Sequence, residues 1–600
     1  MRPTVVLVVF LAIVIGVTSW ATAYTNNRHL ASTTPIATEP GQPRVKLAVL
    51  VVFDQMRGDF LENWRGLFGP DGFARLQTEG AWFTHCNYPY ATTTTGPGHA
   101  SMLSGTSADR HGIINNNWFE GGGVVYCAGS TRYELVPPPP RVAPDPKAST
   151  KGRPKEIGSP DRLLAETVAD VLRARHPAAK IFGLSLKDRS AILPVGKRPS
   201  GAYWFVDGRF VTSTYYAESI HPWVEKMNSA TATGNLGGAN KWFGKDWTPG
   251  RPDLDYFDWL DPVVAKRRNA PMSHENHEEL AFRHANTGGK TKPGREYYEQ
   301  LATSSFGNDL LLELAKSCAI AEDLGRHAEP DLLVVSFSSN DLIGHKWGPD
   351  SPEVLDVTLH SDAIMAELLT FLDHRVGKGQ YLMAVTADHG ICPVVEVSRE
   401  RGIGDAERVN LKVMQEALEA HLTARFGSSA DTKEGAKKRG WIEAFAEPNV
   451  FPWLYFNPKM LTASGRTQEE VAHATVEFLT NRSQVARAFT RSDLAAGFPA
   501  SDVLGNRVRR SYYPERAGDV YVLLKPYYLP SEGLSTGTTH GSPYNYDTHV
   551  PLLVYGPGIV GGVKTEPVTP QATAAIVSKW LGLPPPNKAD VQVPVSLGGE

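Results

Sequence analysis

The sequence predicts an α/β fold, with a mostly parallel central sheet flanked by helices and carrying large insertions. Three observations lead there. Short apolar, β-branched runs recur at 46–53 (KLAVLVVF), 180–186 (KIFGLSL), 331–337 (DLLVVSF), 381–387 (YLMAVTA) and 551–556 (PLLVYG). Unbroken runs of this kind are what strands buried on both faces look like. Helical patterns lie between several of them. The composition, 41% hydrophobic and 21% charged over 600 residues, is that of a globular chain able to build a sizeable core.

At the N-terminus, Arg2 precedes the apolar run TVVLVVFLAIVIGVTSWATA. The run ends at Ala21-Thr22-Ala23, a small-x-small cleavage site, so residues 1–23 read as a secretory signal peptide. The run is also about long enough to span a bilayer, so an uncleaved anchor is the alternative. Either way the body of the protein is expected outside the cytoplasm, in the periplasm or the medium. Residues 24–44 read as a flexible tether. Residues 45–600 read as a single α/β domain, with insertions at about 200–300 and 400–545.

Within that domain the first strand comes at 46–53. A Pro-rich surface connection covers 135–158. Ser159-Pro160 opens a helical pattern over 161–176, with Pro at a first-turn position. Residues 202–217 read as a hairpin turning at Asp207-Gly208. Further helices are expected at 309–324, 356–376 and near 410–425. There is no internal repeat and no coiled coil.

The four cysteines, Cys86, Cys127, Cys318 and Cys392, form no C-x-x-C pair, which argues against a cysteine zinc site. In an oxidising compartment they could form two disulfides. Proximity in sequence pairs Cys86 with Cys127 and Cys318 with Cys392, one of three connectivities. The net charge of -3 offers no basic field for nucleic acid. Small molecules are the expected partners, with no stable membrane partner unless the N-terminal segment is kept as an anchor.

What ends each apolar run is informative. Asp54 follows the first, Lys187-Asp188-Arg189 the second, Asp341 and His345 the third, and Asp388-His389 the fourth. In open parallel sheets, ligands bind beyond the carboxyl ends of the strands. Each residue alone is an ordinary turn or cap residue. Asp341 and His345, four apart, would share a face of a helical turn, and that pair alone fits a metal site or a solvated face equally. The combination of three Asp and at least two His is a ligand set suited to zinc, with manganese or iron as alternatives. Two metals roughly 3.5–4 Å apart are a known device for phosphoryl transfer.

The segments VVFDQMRGD, TTGPGHASMLSG, HGIINNNW, SLKDRSA, SNDLIGHKWGP, TADHG and TTHGSPYNYDTHVPLLVYGPG, in that order, carry a resemblance. The chain resembles the alkaline phosphatase superfamily, in the branch of type I phosphodiesterases and nucleotide pyrophosphatases. Within it the chain looks most like the secreted, Thr-nucleophile alkaline phosphatases of the phosphate-irrepressible type. The resemblance implies an alkaline phosphatase-like fold holding two Zn2+ ions. Asp341, His345 and a distant His would hold one. Asp54, Asp388 and His389 would hold the other, touched also by the nucleophile. For the distant ligand it favours His540, in an H-G segment, over His549. It implies Thr95 as nucleophile, the Thr of T-x-P-x-H. Asn116, 21 residues on, would donate to a phosphate oxygen. Lys187 and Arg189 match the Lys-x-Arg pair of the monoesterases, which would reach the terminal oxygens of a monoester. The implied activity is hydrolysis of phosphate monoesters through a phospho-threonine. The alternative is phosphodiesterase or nucleotide pyrophosphatase activity on the same two-metal site.

Overall fold

The computed structural model describes residues 43–139, 156–232, 237–266, 282–428, 440–447, 449–531 and 537–599. The expected signal peptide, the expected tether up to residue 42 and most of the Pro-rich connection lie outside this set. Among the described residues, no helix is long and apolar enough to cross a membrane.

A ten-stranded sheet organises residues 41–600, which form one compact unit. The strand Leu47–Phe53 lies at its centre, fully buried. It runs parallel to Asp331–Phe337 on one side and to Tyr381–Thr386 on the other. Ile181–Ser185 continues the parallel set beyond Asp331–Phe337, and Gly201–Val206 follows it. The pairing aligns strand ends: Phe53 faces Phe337, and Asp54 N–H donates to Phe337 O at 3.0 Å. A one-residue slip would send every side chain to the opposite face of the sheet and into the wrong packing partners there, which holds this register.

The parallel expectation holds at the centre and fails at the flanks. Leu552–Tyr555 pairs antiparallel with Tyr381–Thr386, then with Ala81–Phe83. At the other edge, Arg209–Ser213 folds back antiparallel on Gly201–Val206. Asp207 and Gly208 supply the positive φ angles, 44° and 85°, that this two-residue turn requires. The expected hairpin is therefore present, but as part of the central sheet rather than as an insertion.

Helix starts follow capping side chains. The helix expected over 161–176 spans only Val168–Arg175. Thr167 and Asp170 form a reciprocal capping box there, whereas Pro160 sits in a turn whose carbonyl accepts from Leu163 N–H. The helix expected at 356–376 spans Pro352–Leu372, because Ser351 Oγ caps it and Pro352 takes a first-turn position.

The 400–545 excursion builds its own apolar core from residues such as Leu418, Leu422, Trp441, Leu454 and Val520. Helices Leu411–Phe426 and Gln468–Thr480 pack there beside a four-stranded antiparallel sheet. All four cysteines are free and buried, which overturns the expected disulfides. Burial pushes the Cys86, Cys318 and Cys392 thiols up, away from the thiolate that oxidation needs.

Candidate active site

Four adjacent parallel strands deliver their C-terminal residues to one rim. Asp54 follows Leu47–Phe53, and Lys187 follows Ile181–Ser185. Asp388 and His389 follow Tyr381–Thr386. Asp341 and His345 stand one turn apart on the helix Ser339–Trp347, which follows Asp331–Phe337. Two groups result, Asp54 with Asp388 and His389, and Asp341 with His345 and His540. In each, one ligand atom per residue lies within 4.8 Å of the others, so either could hold a metal ion. The two groups adjoin, since the His389 and His540 rings stack at 3.5 Å. His549 is elsewhere, with Nε2 3.0 Å from Thr84 O.

The electrostatics fit cations. Asp54 Oδ1 is buried with no hydrogen-bond partner among the described residues. Burial, then the charges of Asp341 and Asp388, push the Asp54 carboxyl well above its usual range. Burial alone would raise Asp341 too, but Lys187 and His345 hold it well below. Burial and the neighbouring His389 and His345 push His540 down, keeping it in the neutral form that binds metal. Crowded buried carboxylates need positive charge, and Lys187 supplies some of it. Its Nζ donates to Asp54 Oδ2 at 2.7 Å and Asp341 Oδ2 at 2.5 Å, one carboxylate from each group.

Thr95 is the first residue of the buried helix Thr95–Ser104. Its Oγ1 lies 3.4 Å from His389 Nε2 and accepts from Arg189 Nη2 at 3.3 Å. The N–H of Gly96 is not free for an anion; it donates to Asn116 Oδ1 at 2.7 Å. With its oxygen so engaged, the Asn116 amide keeps its N–H groups as donors, and the residue lines the cleft. Gly98 lets the helix pack tightly here, since a Cβ would stand 2.3 Å from Asp388 O. The three threonines before Thr95, Thr92 to Thr94, are tied to other segments. Thr92 Oγ1 lies 3.4 Å from Tyr521 Oη, Thr93 Oγ1 donates to Ser542 O, and Thr94 Oγ1 donates to Asn115 Oδ1.

Lys187 and Arg189 do not lie on one extended segment. A helix, Asp188–Ile192, starts directly after Lys187. Both still reach the site, Lys187 at the carboxylates and Arg189 at Thr95. Tyr126 Oη, hydrogen-bonded to Asp188, accepts from Arg189 Nη1 at 3.3 Å and steadies the guanidinium.

Sequence reasoning missed three residues. His99 sets Nδ1 3.2 Å from Asp388 Oδ2 and Nε2 2.8 Å from Ser336 Oγ. Asn115 ties Thr94 to the 400–545 excursion, donating from Nδ2 to Phe451 O at 2.8 Å. Gln55 joins the two donor groups: its N–H donates to Asp388 Oδ1 at 3.1 Å and its Nε2 to Asp341 Oδ1 at 2.7 Å. Its φ of 72° is costly for a residue with a side chain, and such strain persists only where surroundings enforce it. Gly344 makes room for it, because a Cβ there would meet Gln55 Oε1 at 1.9 Å. No feature of the sequence marks that conformation. Gln55→Ala is expected to weaken binding of an added metal ion about 10- to 100-fold, the range for groups that orient metal ligands. Competition against a chromogenic chelator measures it, and unchanged affinity would remove Gln55 from this role.

Thr95, Asn116, Arg189, Asp341, His345 and His540 line one end of a cleft of about 610 Å³. Comparison with known proteins bears on what this site does. Residues 48–543 match the family described as type I phosphodiesterase / nucleotide pyrophosphatase. The chain is 31% identical over 550 residues to alkaline phosphatase PhoV of Synechococcus elongatus, covering 91% of each chain. It is 31% identical over 556 residues to alkaline phosphatase PafA of Elizabethkingia meningoseptica, covering 91% of this chain and 93% of that one. The crystal structure of wild-type PafA superposes with a TM-score of 0.79 at 28% identity, covering 93% of this chain and 99% of PafA.

Proposed function

The chain belongs to the type I phosphodiesterase/nucleotide pyrophosphatase family, and from that membership we propose that it is an exported alkaline phosphatase, hydrolysing phosphate monoesters through a phospho-threonine at Thr95. The observation that carries this reading is the convergence on Thr95 Oγ1 of Arg189 and of the Asp54, Asp388 and His389 group. Similarity to PhoV and PafA over nine-tenths of the chain supports it.

Asp54, Asp388 and His389 would hold one Zn2+, and Asp341, His345 and His540 the other. The donor sets of two carboxylates with one imidazole, and one carboxylate with two imidazoles, suit that ion. Zinc would supply Lewis acidity toward the phosphoryl oxygens and toward a Thr hydroxyl that is otherwise a weak nucleophile. The rest falls to the chain. Arg189 and the Asn116 amide donate to non-bridging oxygens, holding phosphorus within reach of Thr95 Oγ1. Thr95 Oγ1, its proton lost to solvent, bonds to phosphorus as the ester P–O bond breaks. The alcohol leaves with a proton from water. A water then cleaves phospho-Thr95, returning the hydroxyl and releasing phosphate.

The test compares an aryl phosphate with a bis-aryl phosphate, with zinc and after chelation. Monoester turnover is expected to dominate and to fall at least about 100-fold in chelator, returning with zinc. Dominant diester turnover would move the chain to the phosphodiesterases.

A further inference from the structure

A metal ligand is placed by the backbone that carries it and by the bonds beyond it. The two donor groups differ in this respect. Asp54, Asp388 and His389 follow strands of the central sheet, and Asp341 and His345 stand on a helix. His540 has neither support. It lies in a segment, 537–544, that is neither helix nor strand. Its next residue, Gly541, has a φ of 115°, a conformation that favours glycine, and glycine loses the most freedom on being fixed. Bonds from outside must therefore hold His540.

The ring itself is set by Nδ1–H, which donates to Thr93 O at 2.8 Å. That leaves Nε2 for a metal, 3.6 Å from Asp341 Oδ1. Upstream, Thr538 Oγ1 donates to Cys392 O at 2.7 Å, and Thr538 O accepts from His345 Nδ1 at 2.8 Å. Downstream, Thr93 Oγ1 donates to Ser542 O at 2.8 Å. Both donors of Ser542 then converge on one carboxylate oxygen: its N–H reaches Asp547 Oδ2 at 2.8 Å and its Oγ–H reaches it at 2.5 Å. Asp547 is 1% exposed, and its Oδ1 has no hydrogen-bond partner among the described residues. A half-satisfied buried carboxyl is costly, and what it secures here is the turn after His540. The main chain of Asp547 has a separate task. Its carbonyl accepts from Gly390 N–H at 2.7 Å, directly after His389. Backbone and side chain thus serve different donor groups, and a side-chain substitution separates them.

We infer that the Asp547 carboxylate is a positioning residue for the Asp341, His345 and His540 group, acting on His540 through Ser542 and Gly541. The inference rests on the two-zinc site proposed above and adds a residue on which one ion depends and the other does not. Chelator competition on the full chain, with zinc as the ion, tests it. The parent should bind two ions. Asp547→Ala should weaken one of them about 10- to 100-fold and leave the other unchanged within about two-fold. Asp547→Asn keeps an accepting oxygen for Ser542 and should recover most of the loss. In a His540→Ala background, Asp547→Ala should change zinc affinity less than about two-fold, because the ligand it acts through is gone. If Asp547→Ala fails to fold, Ser542→Ala, which removes one of the two bonds, should weaken the same ion at least about three-fold. Unchanged affinity in the variant that folds, equal weakening of both ions, equal loss in Asp547→Ala and Asp547→Asn, or a full further loss in the His540→Ala background overturns the role. A parent that binds two ions but hydrolyses no monoester overturns the phosphatase reading alone. A parent that binds fewer than two overturns both.

Discussion

Thr95→Ala is expected to lower kcat/KM for a phosphate monoester at least about 1,000-fold, as removal of a covalent nucleophile does. The fold should survive. Thr95 is buried at a helix start, and its hydroxyl meets only Arg189 Nη2 and His389 Nε2 among its recorded polar contacts. Zinc affinity and thermal midpoint therefore serve as controls and should move little. Thr95→Ser keeps a hydroxyl and should retain part of the rate. The neighbouring threonines separate position from composition. Thr94→Ala loses the bond to Asn115 Oδ1 and should cost about 1 kcal/mol of stability, without abolishing turnover. Steady-state kinetics on the three variants decides it; a Thr95→Ala enzyme within ten-fold of the parent would remove Thr95 from the chemistry.

The double variant Lys187→Ala, Arg189→Ala is expected to lose about 100- to 1,000-fold in monoester kcat/KM. Diester turnover, where present, should fall less than about ten-fold. The difference follows from charge: a monoester dianion has more terminal charge to meet, and Arg offers it a planar fork. Lys187 has a second effect. It links Asp54 to Asp341, so Lys187→Ala leaves two buried carboxylates without their cation. Breaking one partner of a buried pair costs about 3–5 kcal/mol. The chelated Lys187→Ala protein should accordingly melt well below the chelated parent, and added zinc should restore much of the difference. Equal losses on monoester and diester would mean that the pair acts on the ligands alone.

Much of this site was legible because α/β sheets place function at strand ends. The apolar runs located the central strands to within a residue or two, and the residues that follow them named Asp54, Asp388 and His389 at once and Asp341 four positions on. Spacing brought in His345. His540 came only from resemblance, because a ligand some 190 residues from its partners leaves no local pattern. Periodicity could not register direction. The run at 551–556 looks like the others yet lies antiparallel, since burial on both faces produces one pattern either way. Helix starts were misplaced where a proline was weighted above a capping side chain, as at Pro160 against Thr167 and Asp170. Gln55 and Asn115 were unreadable for a different reason. Their roles depend on a positive φ and on a contact 336 residues away, neither of which is written locally.

The account stands on a covalent Thr95 intermediate, and the stereochemistry at phosphorus tests it most directly. A monoester made chiral with oxygen isotopes, transferred by this enzyme to an acceptor alcohol, passes through two in-line displacements if phospho-Thr95 forms. Each displacement inverts the phosphorus, so the product should show overall retention, and Thr95→Ala should yield none of it. Overall inversion would mean a single direct displacement and would contradict the account.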